Sequence, residues 1–345
     1  MKRFLLRLLA FVGIPIMVLL VVYFITDPFK TLRPFDFQYY DNTNRDYLSS
    51  ELFLRNDPVY HYNSFIFGSS RCCGFNTYHW QHYLPEGSKQ FMFQAWSETL
   101  TGIEQKINYL DINGNNLSNV LLVLDIPGTF DKEQQPKQVL TIKHYKFSGQ
   151  SKMAYQACLF YGFAQKPSKW VSSIKERVRT RTIHGEFPAD TITNDWGMGN
   201  KSADFSVQPQ KDSLMNCSAK SKSVFLKEIS NKTDADIIES EPLITERFEQ
   251  QLSHIKEVFD KHHTDYRVVI TPAYCYTHPA INREDLRLLQ DIFGRDRVVD
   301  YSGKNDITTD CYNFSDPNHF GMSVGWQIIE DIYGNINKAD HEVKE

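Results

Sequence analysis

The run Val120–Ile126 (Val-Leu-Leu-Val-Leu-Asp-Ile) decides the fold class, and Pro127-Gly128 ends it. A short apolar run bounded by turn residues is typical of a strand buried inside a sheet. Two earlier runs have the same character, Ser64–Phe67 (Ser-Phe-Ile-Phe) and Gln90–Ala95 (Gln-Phe-Met-Phe-Gln-Ala). The first part of the chain therefore predicts three buried strands.

Segments with helical periodicity alternate with these strands. Between the second and third strands, four apolar residues recur at spacings of three and four: Leu100, Ile103, Ile107 and Leu110. Later the pattern predicts a helix stripe, a strand, a helix, a strand and a closing helix, at Ile244–Phe259, Tyr266–Ile270, Arg283–Phe293, Arg297–Tyr301 and Gly325–Tyr333. Such alternation favours parallel pairing with right-handed crossovers, so we expect a three-layer α/β/α domain with a mainly parallel sheet.

Two segments depart from this alternation. Residues 27–60 are rich in aromatic and polar side chains without a sustained period, which predicts a membrane-proximal lead-in to a domain spanning 61–345. The polar residues from about 130 to 240 are expected to form an insertion that decorates one edge of the sheet. A second small domain is the alternative for this insertion.

Nineteen uncharged residues, 8–26, follow the basic side chains Lys2, Arg3 and Arg7. A helix of this length spans roughly 28 Å, close to the hydrocarbon thickness of a bilayer. We therefore expect a single transmembrane signal anchor, with residues 1–7 in the cytoplasm and the remaining chain in the periplasm or at the cell surface. A cleaved signal peptide is the alternative, although its apolar stretch is usually shorter and ends at small residues.

The charge balance excludes several classes of protein. The chain has 345 residues, a formal net charge of −4 and a mean hydropathy of −0.44. These values argue against a polytopic membrane protein, a disordered chain and a strongly basic nucleic-acid binder. Residues 1–26 hold three basic and no acidic side chains, so the remainder has 35 basic against 42 acidic residues, a net −7. Nucleic acid is therefore not an expected partner.

Six cysteines are spread along the chain, at Cys72, Cys73, Cys158, Cys217, Cys275 and Cys311. None of them has a metal-binding spacing such as a CxxC pair, and no metal or other cofactor is expected. In an oxidising compartment some of them could be bridged, but the sequence does not choose among the connectivities.

A glycine and two serines follow the first strand, in Gly68-Ser69-Ser70-Arg71. In an open α/β sheet, ligands bind beyond the carboxyl ends of the strands, so Ser70 stands where a nucleophile would be useful. Gly68 allows the backbone to turn sharply there. A turn without chemistry is the alternative, because glycine and serine are common turn residues.

A carboxylate and a histidine occur near the C-terminus, in Asp316-Pro317-Asn318-His319. This segment follows the last strand and is expected at the same edge of the sheet as Ser70. An acid that orients a histidine, which in turn takes a proton from serine, is the logic of catalytic triads on several unrelated folds. The two motifs together predict Ser70 as nucleophile, His319 as general base and Asp316 as the orienting acid.

These motifs resemble the first and last blocks of the SGNH or GDSL hydrolase superfamily, which has a flavodoxin-like fold. The Gly-Ser-Ser-Arg form and the N-terminal anchor look most like its membrane-tethered branch, which includes the lipoteichoic-acid D-alanylation and alginate O-acetylation proteins. The resemblance covers roughly residues 60–130 and 243–335. It implies the same roles for Ser70, His319 and Asp316, a glycan that gives or accepts an acyl group, and a polytopic membrane O-acyltransferase as a partner.

Two blocks depart from the family pattern. The family's second block usually supplies a glycine N–H to the oxyanion hole, but this chain reads Gln94-Ala95-Trp96-Ser97-Glu98. The third block usually supplies Gly-x-Asn-Asp, but the chain has Asp125 there, which cannot donate a hydrogen bond when ionised. The N–H of Ser70 remains, and Ser97 could add its own N–H or hydroxyl. Losing one oxyanion donor costs about 2.7 to 4 kcal/mol, which puts hydrolytic power in doubt.

Other residues are weaker candidates. Arg71 could clamp an anionic group or pair with a carboxylate at the sheet edge. His144 could contact substrate or be an ordinary surface histidine, and Trp196 could stack on a sugar ring or pack the insertion onto the core. Cys72 and Cys73, next to the serine, could be nucleophiles, but a buried or bridged cysteine is the usual case.

Together these features predict a membrane-anchored, extracytoplasmic acyltransferase or esterase of SGNH type. It would transfer or remove an acyl group, expected to be acetyl, on a cell-envelope or exported polysaccharide through a serine acyl-enzyme. The alternative is a catalytically impaired protein of the same fold that binds glycan or an envelope-assembly partner, because the glycine and asparagine blocks are missing.

Overall fold

The computed structural model describes residues 1–33, 44–131, 142–179, 189–196, 226–227 and 230–342, without the side chains of residues 5, 6, 9, 176–179 and 335–342. The chain divides into two compact units. Unit 1 comprises Met1–Leu48 and Gln134–Phe187, and unit 2 comprises Ser49–Glu133 and Pro188–Glu345.

The strands alternate with helices along unit 2. The strands are β1 Ser64–Gly68, β2 Gln90–Gln94, β3 Asn119–Leu124, β4 Asp265–Ile270, β5 Val298–Asp300, β6 Phe314–Asp316 and β7 His319–Phe320. The helices of both units, within the described residues, are α1 Lys2–Thr26, α2 Arg45–Tyr60, α3 Thr77–Gln81, α4 Leu100–Ile112, α5 Tyr145–Ser148, α6 Lys152–Ala164, α7 Pro167–Arg179, α8 Glu246–Lys261, α9 Arg283–Phe293, α10 Asp306–Thr309 and α11 Met322–Glu342.

Five parallel strands form the central sheet, in the order β2-β1-β3-β4-β5. Strand β1 lies between β2 and β3, with Ser64 opposite both Gln90 of β2 and Asn119 of β3. The carboxyl ends of β1, β2, β3 and β4 therefore lie at a common edge of the sheet. A separate antiparallel pair, β6 and β7, brings Asp316 opposite His319.

Side chains alternate between the two faces of this sheet, and helices cover both. On one face, Phe53 of α2 contacts Phe65, Phe91 and Phe93, with ring centroids 5.2 to 6.2 Å apart. On the other face, the core joins sheet residues to α3 and α11 through Ile66, Met92, Leu121, Val123, Val269, Trp80, Ile328 and Ile329. The expected α/β class, a parallel sheet with helices on both sides, is confirmed.

A regular helix, α2, occupies part of the segment that the sequence pattern predicts as a lead-in. Leu48 and Leu52 are fully buried at a spacing of four, as in any helix that packs by one face. Arg45 and Asp46 are buried in its first turn as well. Charged residues on the inner side of α2 hide the apolar period in the sequence. The boundary between the two units falls within this helix, after Leu48.

Unit 1 contains α1 and three helices from the expected insertion. The ring of Tyr23 in α1 meets those of Phe160 and Phe163 in α6 at 5.4 Å, and its hydroxyl donates to Gln156 Oε1 at 2.9 Å. The helices were hidden by the polar composition around them. The spacing of Tyr155, Leu159 and Phe163, all fully buried, is the sequence signal of α6.

Helix α1 begins at Lys2, ahead of the apolar run, and includes Pro15. Within the described part of the chain, no helix combines the length and the apolar character that crossing a bilayer requires. The transmembrane helix expected at residues 8–26 is therefore not confirmed, and the side chain of residue 9 within that stretch lies outside the described ones.

A short part of the expected insertion, residues 189–196, belongs to unit 2 and covers the edge strand β2. The N–H of Met92 donates to Thr193 O at 2.8 Å, and the side-chain amide of Asn194 donates to Met92 O at 2.5 Å. These bonds satisfy backbone groups that an edge strand otherwise leaves open. Residues 134–187, in contrast, group with the N-terminal segment and not with the sheet.

Two glycines allow the turn after β1 to lie against the start of α11. We call Ser70–Gly74, a single 3₁₀ turn, the serine turn. A Cβ added at Gly325 would lie 1.9 Å from the carbonyl oxygen of Gly74, and one added at Gly74 would lie 2.2 Å from the ring of Phe320. No side chain fits at either position without moving backbone or a buried ring.

We therefore expect Gly325→Ala to lower the free energy of unfolding of unit 2 by about 2 kcal/mol or more, because its methyl group would displace the serine turn. Gly334→Ala is the matched control in the same helix, since nothing lies within 4 Å of its added Cβ. The control should raise stability by about 0.5 to 1 kcal/mol, the usual gain for alanine in a helix. Urea unfolding of both variants checks this, and equal effects would contradict the close approach.

Candidate active site

Polar residues directly follow three neighbouring strands at one edge of the sheet. Ser70 comes after β1, Asp125 after β3 and Thr271 after β4. From β1 the chain runs to β2 on one side and then returns to β3 on the other, so the connections diverge between β1 and β3. Ligands of open α/β sheets bind in the crevice at such a switch point. The topology therefore brings Ser70 and Asp125 to the edge of the sheet at which ligands of such folds bind.

The structure brings the three residues of the predicted triad together. Ser70 Oγ lies 2.8 Å from His319 Nε2, and His319 Nδ1 lies 2.8 Å and 2.9 Å from the two carboxylate oxygens of Asp316. Because a carboxylate only accepts, Nδ1 of His319 carries the proton, and Nε2 accepts from the hydroxyl of Ser70. This is the arrangement that a serine nucleophile needs.

Local backbone contacts hold Asp316 in place. Its Oδ1 accepts the backbone N–H groups of Asn318 at 2.8 Å and His319 at 3.1 Å, in addition to the imidazole. Burial raises the pKa of the Asp316 carboxyl, but these hydrogen bonds and the charge of His319 outweigh it, so the pKa lies below its usual value. Asp316 is therefore ionised at neutral pH and can stabilise a protonated His319.

The histidine loop, residues 313–321, is also held by ring packing and by backbone hydrogen bonds. The N–H of Tyr274 donates to Pro317 O at 3.0 Å, and Gly321 N–H donates to Asn313 O at 3.0 Å. The ring of Phe320 meets that of Phe75 edge to face at 5.4 Å. His319 is thus placed by a rigid loop and not by its own hydrogen bonds alone.

A hydrogen-bond donor for a developing oxyanion is present on the serine turn. Among the described residues, the backbone N–H of Ser70 donates to no protein acceptor, whereas that of Arg71 is bound by Ser69 Oγ at 3.2 Å. A free N–H next to a nucleophilic oxygen is the usual first donor of an oxyanion hole. The serine turn therefore supplies one such donor.

Ser97, the candidate second donor, is exposed and has a φ of +49°. This left-handed conformation favours glycine. The neighbouring Glu98 is buried and ion-paired with Lys106 of α4, and its carboxylate accepts the N–H of Thr99 at 3.1 Å. A buried ion pair directly after Ser97 fixes the loop that presents it.

Asp125 is turned into the protein and does not face the crevice as a donor. It accepts hydrogen bonds from the hydroxyls of Ser69 and, at 3.1 Å, of Thr271, and its side chain is 7% exposed. The guanidinium of Arg71 lies 3.9 Å away and is buried as well. Asp125 thus ties the ends of β1, β3 and β4 together.

Trp196 lies half-buried beside Trp96, and the two rings meet edge to face with centroids 6.4 Å apart. Trp96 directly precedes Ser97, so the pair belongs to the loop that follows β2. Asp195 anchors this segment: it accepts the N–H of Thr77 at 2.9 Å and the hydroxyls of Thr77 and Thr193. Burial raises the pKa of Asp195 to about 6 in spite of these bonds.

His144 lies in unit 1, whereas Ser70 lies in unit 2. It is not a surface histidine, because it is fully buried. The backbone N–H of His144 donates to Asp46 Oδ2 at 2.6 Å, and its ring Nδ1 accepts the backbone N–H of Lys146 at the start of α5. These contacts describe a structural histidine that begins a helix.

The structure describes five of the six cysteines, of which Cys72, Cys158 and Cys275 are free thiols; the other two are Cys73 and Cys311. Cys217 lies outside the described residues. Burial raises the pKa of Cys72 well above its usual value, so its thiolate is disfavoured. The Sγ of Cys73 donates to Gln94 Oε1 at 3.1 Å. Neither the raised pKa of Cys72 nor the hydrogen bond of Cys73 is typical of a cysteine nucleophile.

Sequence reasoning missed residues that support the site. Thr271 directly follows an apolar strand, the same signal that pointed to Ser70, and Asn318 lies inside the recognised Asp-Pro-Asn-His segment. Gly74 and Gly325 carry no local signal, because their role depends on a contact between distant segments. Over the part of the chain that is described, no group of three histidine, cysteine or acidic side chains could hold a metal ion.

The sequence matches no model of a known protein family, and no curated protein is similar to it. The chemistry of the site therefore rests on its own geometry.

We expect Ser97→Gly to raise the free energy of unfolding by about 1 kcal/mol, because glycine relieves the left-handed strain at this position. Ser253→Gly, in the interior of α8, is the matched control and should lower it by about 0.5 kcal/mol. Urea unfolding of the two variants at neutral pH gives both values. A loss of stability in Ser97→Gly would show that the side chain, and not the backbone, holds this loop.

The raised pKa of Asp195 predicts a stability change with pH. A carboxyl with a folded-state pKa of about 6, against 3.8 unfolded, contributes stability that is fully present below 3.8 and is lost as the pH rises through 6. On acidification from pH 7 to 5, the wild-type protein should therefore gain about 1 kcal/mol relative to Asp195→Asn. Urea unfolding at both pH values measures the difference, and parallel pH dependences would rule out the raised pKa.

Proposed function

We propose that the protein is a serine-dependent O-acyltransferase or carboxylic-ester hydrolase with Ser70 as its nucleophile. The observation that carries the proposal is the 2.8 Å contact between Ser70 Oγ and His319 Nε2, with Asp316 bound to the opposite side of the imidazole. The N–H of Ser70 supplies an oxyanion donor beside the same oxygen. Nucleophile, base, orienting acid and donor are the set that acyl transfer requires.

The reaction proceeds through an acyl-enzyme. Ser70 Oγ attacks the carbonyl carbon of an acyl donor while its proton passes to His319 Nε2, and Asp316 stabilises the imidazolium. The carbonyl oxygen becomes an oxyanion that accepts the N–H of Ser70. Collapse of the intermediate expels the donor's alcohol, which takes the proton from His319. A sugar hydroxyl or water then attacks the carbonyl carbon of the acyl-enzyme and gives its proton to His319 Nε2. The second intermediate expels Ser70 Oγ, which takes the proton back from His319.

The binding alternative calls for a serine and a histidine beyond hydrogen-bond reach. The contact distance of 2.8 Å supports an enzyme over this alternative. The absence of the family's asparagine, with Asp125 committed to Ser69 and Thr271, leaves fewer oxyanion donors than a strong esterase has. A weaker hole suits a transferase with one preferred acceptor, so transfer to a glycan hydroxyl is our first choice of reaction.

Membership of the SGNH superfamily is part of this proposal. It is supported by the strand order 2-1-3-4-5, which is the flavodoxin-like order, and by Ser70 and His319 at the two matching motifs. The membrane-tethered branch implies a glycan substrate, a polytopic acyltransferase partner and an extracytoplasmic location. The location also has the uncharged residues 8–26 behind Lys2, Arg3 and Arg7 in its favour.

A fluorophosphonate probe tests the nucleophile on the full chain. The wild-type protein should be labelled at Ser70, and Ser70→Ala should not be labelled at all. Asp316→Asn should slow labelling by about 10³ to 10⁴-fold, because the imidazole loses its orientation and its counter-charge. Mass spectrometry of the labelled peptide and the time course of labelling give both results.

Ser172→Ala is the matched control, since it removes an exposed serine hydroxyl of α7, which donates to Lys169 O in the same helix at 3.1 Å. It should be labelled at nearly the wild-type rate. An unlabelled wild-type protein, or equal labelling of Ser70→Ala, would refute the proposal.

A further inference from the structure

The guanidinium of Arg71 is buried between the sheet and the histidine loop. Nη1 donates to Thr271 Oγ1 at 2.9 Å, Nη2 donates to Asn318 Oδ1 at 3.4 Å, and Nε lies 3.9 Å from Asp125 Oδ1. Its side chain is only 7% exposed. One planar group therefore touches the ends of β3 and β4 and the loop that carries the histidine.

Asn318 connects this guanidinium to the triad. Its side-chain oxygen accepts from Arg71, while its backbone N–H donates to Asp316 Oδ1 at 2.8 Å. Asp316 in turn holds His319, and His319 contacts Ser70, which is the chain neighbour of Arg71. The contacts form a closed ring in which the serine turn and the histidine loop are tied twice.

We propose that Arg71 is a positioning residue, which holds the histidine loop at the distance from the serine turn that the Ser70–His319 hydrogen bond requires. The inference rests on the proposed function and assigns Arg71 a part in it. A clamp for an anionic substrate is the less suitable role, because Nη1 and Nη2 of Arg71 already donate to Thr271 and Asn318 and the side chain is only 7% exposed.

The chemistry of arginine fits this role better than that of lysine. Guanidinium offers several N–H donors in a rigid plane, so it can bind Thr271 and Asn318 at once. A lysine ammonium would keep the positive charge beside Asp125 but could not reproduce the two fixed directions. A displacement of about 1 Å between reacting groups is enough to cost about a hundredfold in rate.

Steady-state hydrolysis of p-nitrophenyl acetate by the full chain tests the inference kinetically. Arg71→Met and Asn318→Ala should each lower kcat by about 10 to 100-fold and leave KM unchanged. The double variant should be no slower than Arg71→Met, because both changes break one connection. Arg71→Lys should recover only part of kcat. Asn318 is exposed, so Asn318→Ala carries the test if Arg71→Met fails to fold.

A second readout does not need activity. In ¹⁵N-histidine-labelled protein, the Nδ1–H of His319, bound to Asp316, should give a far-downfield proton resonance that is lost or shifted in Arg71→Met and Asn318→Ala. Arg267→Met is the matched control: Arg267 lies in β4 and pairs with Asp265 at 2.7 Å. Its substitution should change neither the resonance nor kcat.

The two readouts separate failure of the inference from failure of the proposed function. A wild-type protein that neither hydrolyses the ester nor binds the probe would refute the function, while the His319 resonance would still report on positioning. An unchanged resonance in folded Arg71→Met, additive effects in the double variant, a rise in KM alone, or full recovery by Arg71→Lys would each overturn the positioning role.

Discussion

The close approach of Gly325 to the carbonyl oxygen of Gly74 is the constraint on which the site depends. The serine turn follows β1 and the histidine loop precedes α11, so the two are far apart in the chain, and the packing of α11 against the turn brings them together. Phe320, the residue after His319, fills the space that a side chain at Gly74 would take. The contact of Gly74 with Phe320 and Gly325 therefore both packs the core and places His319.

Parallel topology makes the second contribution, because it collects polar residues that the sequence scatters. Ser69, Asp125 and Thr271 follow three different strands and meet at one edge in a hydrogen-bonded network with Arg71. Burying charges is costly unless every group is paired, and here each acceptor oxygen has a donor. An apolar set of side chains would serve stability at least as well, so the value of this network lies in the geometry that it imposes.

The sequence was sufficient to predict the sheet and the proximity of Ser70, His319 and Asp316, but not the division into units. Strands β1 to β3 have buried apolar runs at their centres, β4 ends in the apolar run Val268–Ile270, and the period of α4 is undisturbed, so burial accounts for their pattern. The triad was found because a strand end and a loop each carry a short polar motif. Arg45 and Asp46, in contrast, are buried charges that mask the helix period of α2. No local pattern indicates that α6 packs with α1, since that depends on contacts across more than a hundred residues.

The loop after β2 is held in a different way from the serine turn. Ser97 has a left-handed backbone, the conformation that glycine adopts most readily, although it is not a glycine. Non-glycine residues hold such a conformation only where the surroundings enforce it. The buried pair Glu98 and Lys106 supplies that enforcement directly beside it. The left-handed backbone of Ser97 thus lies directly before a buried ion pair, Glu98 with Lys106 of α4, so the loop after β2 is anchored to the same packing that supports the sheet.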